Sequence, residues 1–170
     1  MTVKMTLLFG SILLLLCFDA SAQRVRLSDA LSPQQNYVLD LTWQPNELNQ
    51  FVGAMLSGQE VSFPPMRGYL PGVELRLNTA DYRDRNVRIY MVLPATIVAD
   101  PSAGTLELSW EVSGEFLPGS VRAGQETLIF EGTIVNEVTT GTFNFMLQIQ
   151  EGGSQDTLLI EPYYELEVLL

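Results

Sequence analysis

Four arginines, Arg76, Arg83, Arg85 and Arg88, fall between positions 76 and 88 of an otherwise acidic chain, interleaved with Asp81 and Asp84. A guanidinium chelates a planar oxyanion through two parallel bonds, so such a cluster suits a carboxylate or sulfate ligand. The plainer reading is a polar hairpin loop over residues 78–86, its arginines paired with Asp81, Asp84 or acids of neighbouring strands. It is preferred because exposed ion pairs are common and contribute little. Carboxylates are the other resource, with Glu107, Glu111 and Glu115 in one stretch and Glu161, Glu165 and Glu167 in another. Two facing acids are what a glycosidase needs. Here Glu107 and Glu111 take the outward positions of an alternating strand, and Glu165 and Glu167 bracket an inward Leu166, so a solvated face is the preferred reading. Asp81, Asp84 and Asn86 are too sparse for an oxygen-rich calcium loop. Trp43, Trp110 and the pair Tyr163-Tyr164 could stack on sugar rings. Both tryptophans fall on the apolar phase of their strands, where core packing is the expected role. Only one of the two tyrosines can face inward, which leaves Tyr163, with Arg76, Arg83, Arg85 and Arg88, as the candidate set for a carbohydrate or acidic ligand.

Composition narrows the chemistry further. The 170 residues carry 20 acidic and 9 basic side chains, a formal charge of −11, and no histidine. Duplex phosphates would meet repulsion, so nucleic acid is excluded as a partner. Without histidine the usual general base, zinc ligand and pH switch are missing, and a Ser/His/Asp or Cys/His site cannot be built. No catalytic residue, cofactor or metal site is assigned, and the chain is read as a binding or assembly protein rather than an enzyme.

Residues 1–22 read as a secretory signal peptide. Lys4 gives a short positive start, residues 7–18 form an apolar run too short to span a bilayer comfortably, and Ala20-Ser21-Ala22 is a small-x-small cleavage site before Gln23. Cys17 follows Leu16 rather than a small residue, which disfavours lipidation. Removing 22 of the 170 residues leaves 148 and takes away the one cysteine, Lys4 and Asp19, so the charge stays at −11. The mature chain can form no disulfide and must be held by core packing. No later apolar run reaches the length of a membrane span, so insertion after cleavage is not expected.

The rest of the chain alternates apolar and polar residues. Expected strands, with inward residues, are 37–43 (Tyr37, Leu39, Leu41, Trp43), 59–63 (Val61, Phe63), 73–78 (Val73, Leu75, Leu77) and 87–93 (Val87, Ile89, Met91, Leu93). They continue with 105–112 (Leu106, Leu108, Trp110, Val112), 127–135 (Leu128, Phe130), 142–149 (Phe143, Phe145, Leu147, Ile149) and 157–169, interrupted at Pro162. Turn signals separate them, among them Pro64-Pro65, Pro71-Gly72, Pro118-Gly119 and Gly152-Gly153. Only residues 47–56 have helical spacing, weakened by Gly53. One wet face per strand indicates antiparallel sheets packed face to face. The fold class is therefore all-β, an immunoglobulin-like antiparallel sandwich of about seven to nine strands. Residues 23–170 form a single such domain with an N-terminal extension.

Both ends of this domain suggest assembly. The final strand keeps its alternation, Tyr164, Leu166, Val168, to the last residues, and an apolar edge of this kind invites association. Residues 37–43 alternate as cleanly, and a terminal strand can complete a neighbour's sheet. The Thr42-Trp43-Gln44-Pro45 turn, and Leu75-Arg76-Leu77-Asn78-Thr79-Ala80-Asp81 followed by Val87-Arg88-Ile89-Tyr90-Met91-Val92-Leu93, resemble the pattern of alpha-clade (class 5) chaperone-usher fimbrial subunits, although Trp43-Gln44-Pro45 stands where that family prefers Val-Asp-Pro. The resemblance implies an exported pilus or surface-fibre subunit joined by strand donation, with a periplasmic chaperone, an outer-membrane usher and other fibre subunits as partners. It implies transit through the periplasm to the cell surface, and makes Tyr37, Leu39, Leu41 and Trp43 donor residues by position, with Tyr164, Leu166 and Val168 as the C-terminal contact. The alternative is a secreted β-sandwich module for a carbohydrate or acidic ligand.

Overall fold

A computed structural model describes residues 24–33, 38–62, 64–95, 106–149, 157–159 and 161–169. The expected signal peptide, Tyr37 and Phe63 lie outside the described residues. In chain order the elements are β1 (Arg24–Leu27), β2 (Val38–Asp40), β3 (Thr42–Trp43), α1 (Pro45–Leu56), β4 (Met66–Asn78), a 3-10 turn (Ala80–Tyr82), β5 (Asn86–Val92), β6 (Leu106–Gly114), β7 (Gly119–Arg122), β8 (Glu126–Thr133), β9 (Val138–Ile149), β10 (Thr157–Leu159) and β11 (Tyr163–Val168).

Nine strands form two antiparallel sheets, ordered β1-β11-β5-β8 and β3-β4-β9-β6-β7, while β2 and β10 pair as a separate ribbon. This is the expected all-β sandwich. Period-two alternation aims one set of side chains inward from each sheet. Val73, Leu75 and Leu77 of β4, Leu106, Leu108 and Trp110 of β6, and Phe143, Phe145, Leu147 and Ile149 of β9 meet Val87, Ile89 and Met91 of β5 and Tyr164 and Leu166 of β11. Burial of each such side chain contributes about 1.5–3 kcal/mol against the cost of ordering the chain. Phe143 lies at the centre of the aromatic part of this core, its ring 5.2 Å from Phe145 and 5.4 Å from Phe116. The indole N–H of Trp110 donates to the Leu117 carbonyl at 2.9 Å, so its one polar atom is satisfied in the interior.

Four expectations are corrected. Residues 78–86 are not a hairpin loop, because β4 and β5 belong to different sheets and the segment crosses between them. Buried Thr79 fixes the crossing: its N–H donates to the Glu137 carbonyl at 2.8 Å and its hydroxyl lies 3.1 Å from that of Thr139. Polar turn residues mark where a strand stops but not which sheet the next one joins.

In β8 the inward residue is Ile129, fully buried, whereas Leu128 and Phe130 are half-buried. The ladder pairs Ile89 with Phe130 and Tyr90 with Leu128, so Ile129 is the extra residue of a β-bulge. A slip of one position exchanges the faces of a strand. The Ile129 carbonyl accepts from the Leu117 N–H at 2.7 Å instead of joining the ladder.

No strand forms over residues 59–62, which follow α1 without regular secondary structure and with Val61 exposed. The run is too short, and too close to the helix end, to find a ladder partner. The described part of 37–43 is not one strand either: it is interrupted at buried Leu41, with β2 paired to β10 and β3 paired to β4. Trp43, opposite Met66 on the outermost strand of its sheet, stays 42% exposed.

Candidate functional site

The arginines between positions 76 and 88 are not brought together. Arg76 lies on β4, its Nη2 2.6 Å from Glu74, whereas Arg88 lies on β5 in the other sheet, its Nη2 3.0 Å from Glu131 directly across the ladder. The bond to Glu131 raises the pKa of Arg88 above its ordinary value. Arg83 stands 4.0 Å from Glu137 in the crossover, and Arg85 is exposed with no ion pair among the described residues. Of the four, Arg88 alone pairs with an acid of a neighbouring strand, whereas Arg76 pairs within its own strand, Arg83 meets Glu137 just before β9, and neither Asp81 nor Asp84 forms an ion pair among the described residues. Tyr164 is the tyrosine that faces inward, and Tyr163 is half-buried beneath the Arg26 guanidinium, 4.6 Å from its ring centroid.

The C-terminal strand is not an open edge. β11 is hydrogen-bonded on both sides, to β1 and to β5, with Tyr164 and Leu166 in the core and Val168 packed against it. The apolar alternation that suggests an uncovered edge belongs instead to an interior strand, since sequence reports the burial of a strand's face and not the neighbours along its edges. Of the candidate donor residues, Leu39 lies in β2 opposite Leu158, Leu41 is in the core, and Trp43 is exposed beside β4.

One outer edge of the four-stranded sheet is formed by β1, whose strand partner among the described residues is β11. The register places Arg24 opposite Glu167 and Arg26 opposite Glu165, so a basic strand meets an acidic one. Arg24 reaches further. Its guanidinium bonds to Glu126 of β8, stands 3.8 Å from both Glu165 and Glu167, and lies over the Tyr90 ring at 4.1 Å from the centroid. Tyr90 in turn donates its hydroxyl proton to Glu167 at 3.1 Å. The carboxylate bond at Glu126 holds the Arg24 pKa above its usual value, and burial, then the bond to Glu167, raises that of Tyr90. One side chain of the edge strand thereby ties all four strands of the sheet. Beyond Leu27 the chain turns toward the other sheet, where the Ser28 carbonyl accepts from Asn78 N–H and the Ser32 hydroxyl from Arg76 N–H.

The outer face of the five-stranded sheet carries a groove of about 400 Å³ lined by Tyr69, Ser109, Trp110, Glu111, Asn144 and Met146. Strand order puts β9 between β4 and β6, which aligns Tyr69, Met146 and Ser109 in one row and Asn144 with Glu111 in the next. Tyr69 is 64% exposed and Met146 42% exposed, high values for such side chains in mid-sheet. The β4 bulge between Leu70 and Val73 reaches the groove through one bond: Gly72 takes φ of 71° and its N–H donates to Asn144 Oδ1 at 2.9 Å. This bond fixes the Asn144 amide and leaves Nδ2 as a donor. The Ser109 hydroxyl donates to the Met146 carbonyl at 3.2 Å. Glu111 has no ion pair or hydrogen bond among the described residues. Among the described residues no group of three His, Cys, Asp or Glu side chains could hold a metal ion, and no helix is long and apolar enough to cross a membrane.

Sequence reasoning missed both surfaces. Arg24 and Arg26 fell in a segment read as polar extension, and Tyr69 precedes Pro71-Gly72, which reads as a turn rather than as a bulge inside a long strand. The chain matches no family model, no curated protein and no solved structure.

Proposed function

We propose that the chain is an exported structural subunit of a pilus or surface fibre, assembled by β-strand donation to a neighbouring subunit and escorted by a periplasmic chaperone and an outer-membrane usher. The observation that carries this reading is β1, a four-residue edge strand whose charge complements the strand it covers: Arg24 and Arg26 lie across from Glu167 and Glu165. A strand bonded along one side can be supplied by a second copy with every contact kept, which is the low-cost route to association by exchange. Its departure would expose the edge of β11, whose Glu165 and Glu167 would repel an acidic strand and accept this basic one. The rest of the acidic surface keeps other edges apart.

The test uses the absence of cysteine from residues 23–170. A double variant, Arg26→Cys with Glu165→Cys, places one thiol on each of two facing positions. Oxidation of a concentrated sample should give a ladder of covalent multimers on a non-reducing gel, and each single-cysteine variant no more than a dimer. If the double variant yields intrachain cross-links alone at every concentration, donation of β1 is wrong.

A further inference from the structure

The groove on the outer face of the five-stranded sheet has no part in strand exchange, and we infer that it binds a neutral saccharide. Three features carry this. The Tyr69 ring is largely exposed beside the Met146 thioether, an apolar platform in mid-sheet where polar side chains are expected. Next to it stand one fixed donor, Asn144 Nδ2, and one uncommitted acceptor, the Glu111 carboxylate. A pyranose ring presents an apolar C–H face and a rim of hydroxyls that both donate and accept. Laid on Tyr69, it would direct that rim toward Asn144 and Glu111. The groove's volume falls within the range of small-molecule sites. Strands about 4.8 Å apart give the row Tyr69–Met146–Ser109 a span of roughly 10 Å, room for one or two sugar rings.

Charge selects among saccharides. Glu111 lies in the groove and the chain carries −11, so uronic acids, sialic acid and sulfated sugars would be repelled. The β4 bulge is the positioning device. Gly72, at a left-handed φ that other residues seldom adopt, aims its N–H at Asn144 and so decides which end of the amide faces the ligand.

The test is an NMR titration of residues 23–170 with maltose, cellobiose, lactose and chitobiose at up to tens of millimolar, with glucuronic acid as the anionic control. Saturable shifts are expected for at least one neutral disaccharide and none for glucuronic acid, with Tyr69→Ala weakening binding at least tenfold and Glu111→Gln several-fold. Both residues are outside the core, so the melting temperature of each variant should stay near that of the parent. Silence toward all four disaccharides, binding unchanged in Tyr69→Ala, or preference for glucuronic acid would each overturn the inference. None of these outcomes depends on whether copies exchange strands.

Discussion

The guanidinium of Arg24 lies over the ring of Tyr90 although a whole strand, β11, separates them in the sheet. The same guanidinium engages Glu126 on the far edge strand, so β1 grips the sandwich through its outer face as well as through its backbone ladder. Leu27 is the β1 residue that reaches the core.

Arg24→Ala should therefore loosen the edge without unfolding the core. Loss of one cation–π contact and partly exposed ion pairs amounts to about 1 kcal/mol. Hydrogen exchange should accelerate at β1 and the outer edge of β11 while β5 and β9 stay protected. Uniform acceleration through the molecule would contradict this.

Tyr90 supplies a pH signature. Its pKa lies above the ordinary tyrosine value near 10 in the folded chain, first through burial and then through the bond to Glu167. Above that ordinary value the unfolded chain loses the proton before the folded chain does, so the stabilisation is complete below about pH 10 and is lost as pH rises toward the folded pKa. Denaturant titrations should show unfolding free energy falling in this alkaline window, with a shallower fall in Tyr90→Phe. Equal slopes would rule the account out.

Ile129 should be the costly position of β8. Ile129→Ala empties a fully buried site and should cost about 2–4 kcal/mol, against markedly less for Leu128→Ala. Urea midpoints at unchanged slope decide the order, and the reverse order would mean that the bulge is misplaced.

Two glycines should respond in opposite directions to alanine. Gly114, at φ of 113°, would bring a Cβ to 2.9 Å from the Thr140 carbonyl oxygen, and Gly114→Ala should cost about 1–3 kcal/mol. Gly53 in α1 has open space around it, and Gly53→Ala should add about 0.5–1 kcal/mol through helix propensity. Thermal melts of the two variants should move apart.

What the sequence reveals follows from what period-two alternation encodes. It locates the core strands around Leu75, Ile89, Leu108 and Phe145, because a strand with one face in the core must alternate. It cannot reveal Ile129, since a bulge adds a residue and shifts the phase within a single strand. It cannot tell that 78–86 crosses between sheets, which depends on Thr79 meeting Glu137 and Thr139. The groove of Tyr69, Asn144 and Glu111 escapes it for a related reason. These residues become neighbours because β9 lies between β4 and β6, and strand order is not a local property. The basic strand opposite Glu165 and Glu167 is visible as composition, but its partner is distant in the chain.

The place of β11 between β1 and β5 also sets an order of events. Neither neighbour bonds to the other, so among the described residues β1 gains its ladder partner only when β11, synthesised after both, has been delivered. Such distant pairing makes closure of this sheet slow compared with the local hairpin of β6 and β7. Under the strand exchange proposed above, that interval is the moment at which the acidic β11 of a second copy competes with the chain's own for the basic β1.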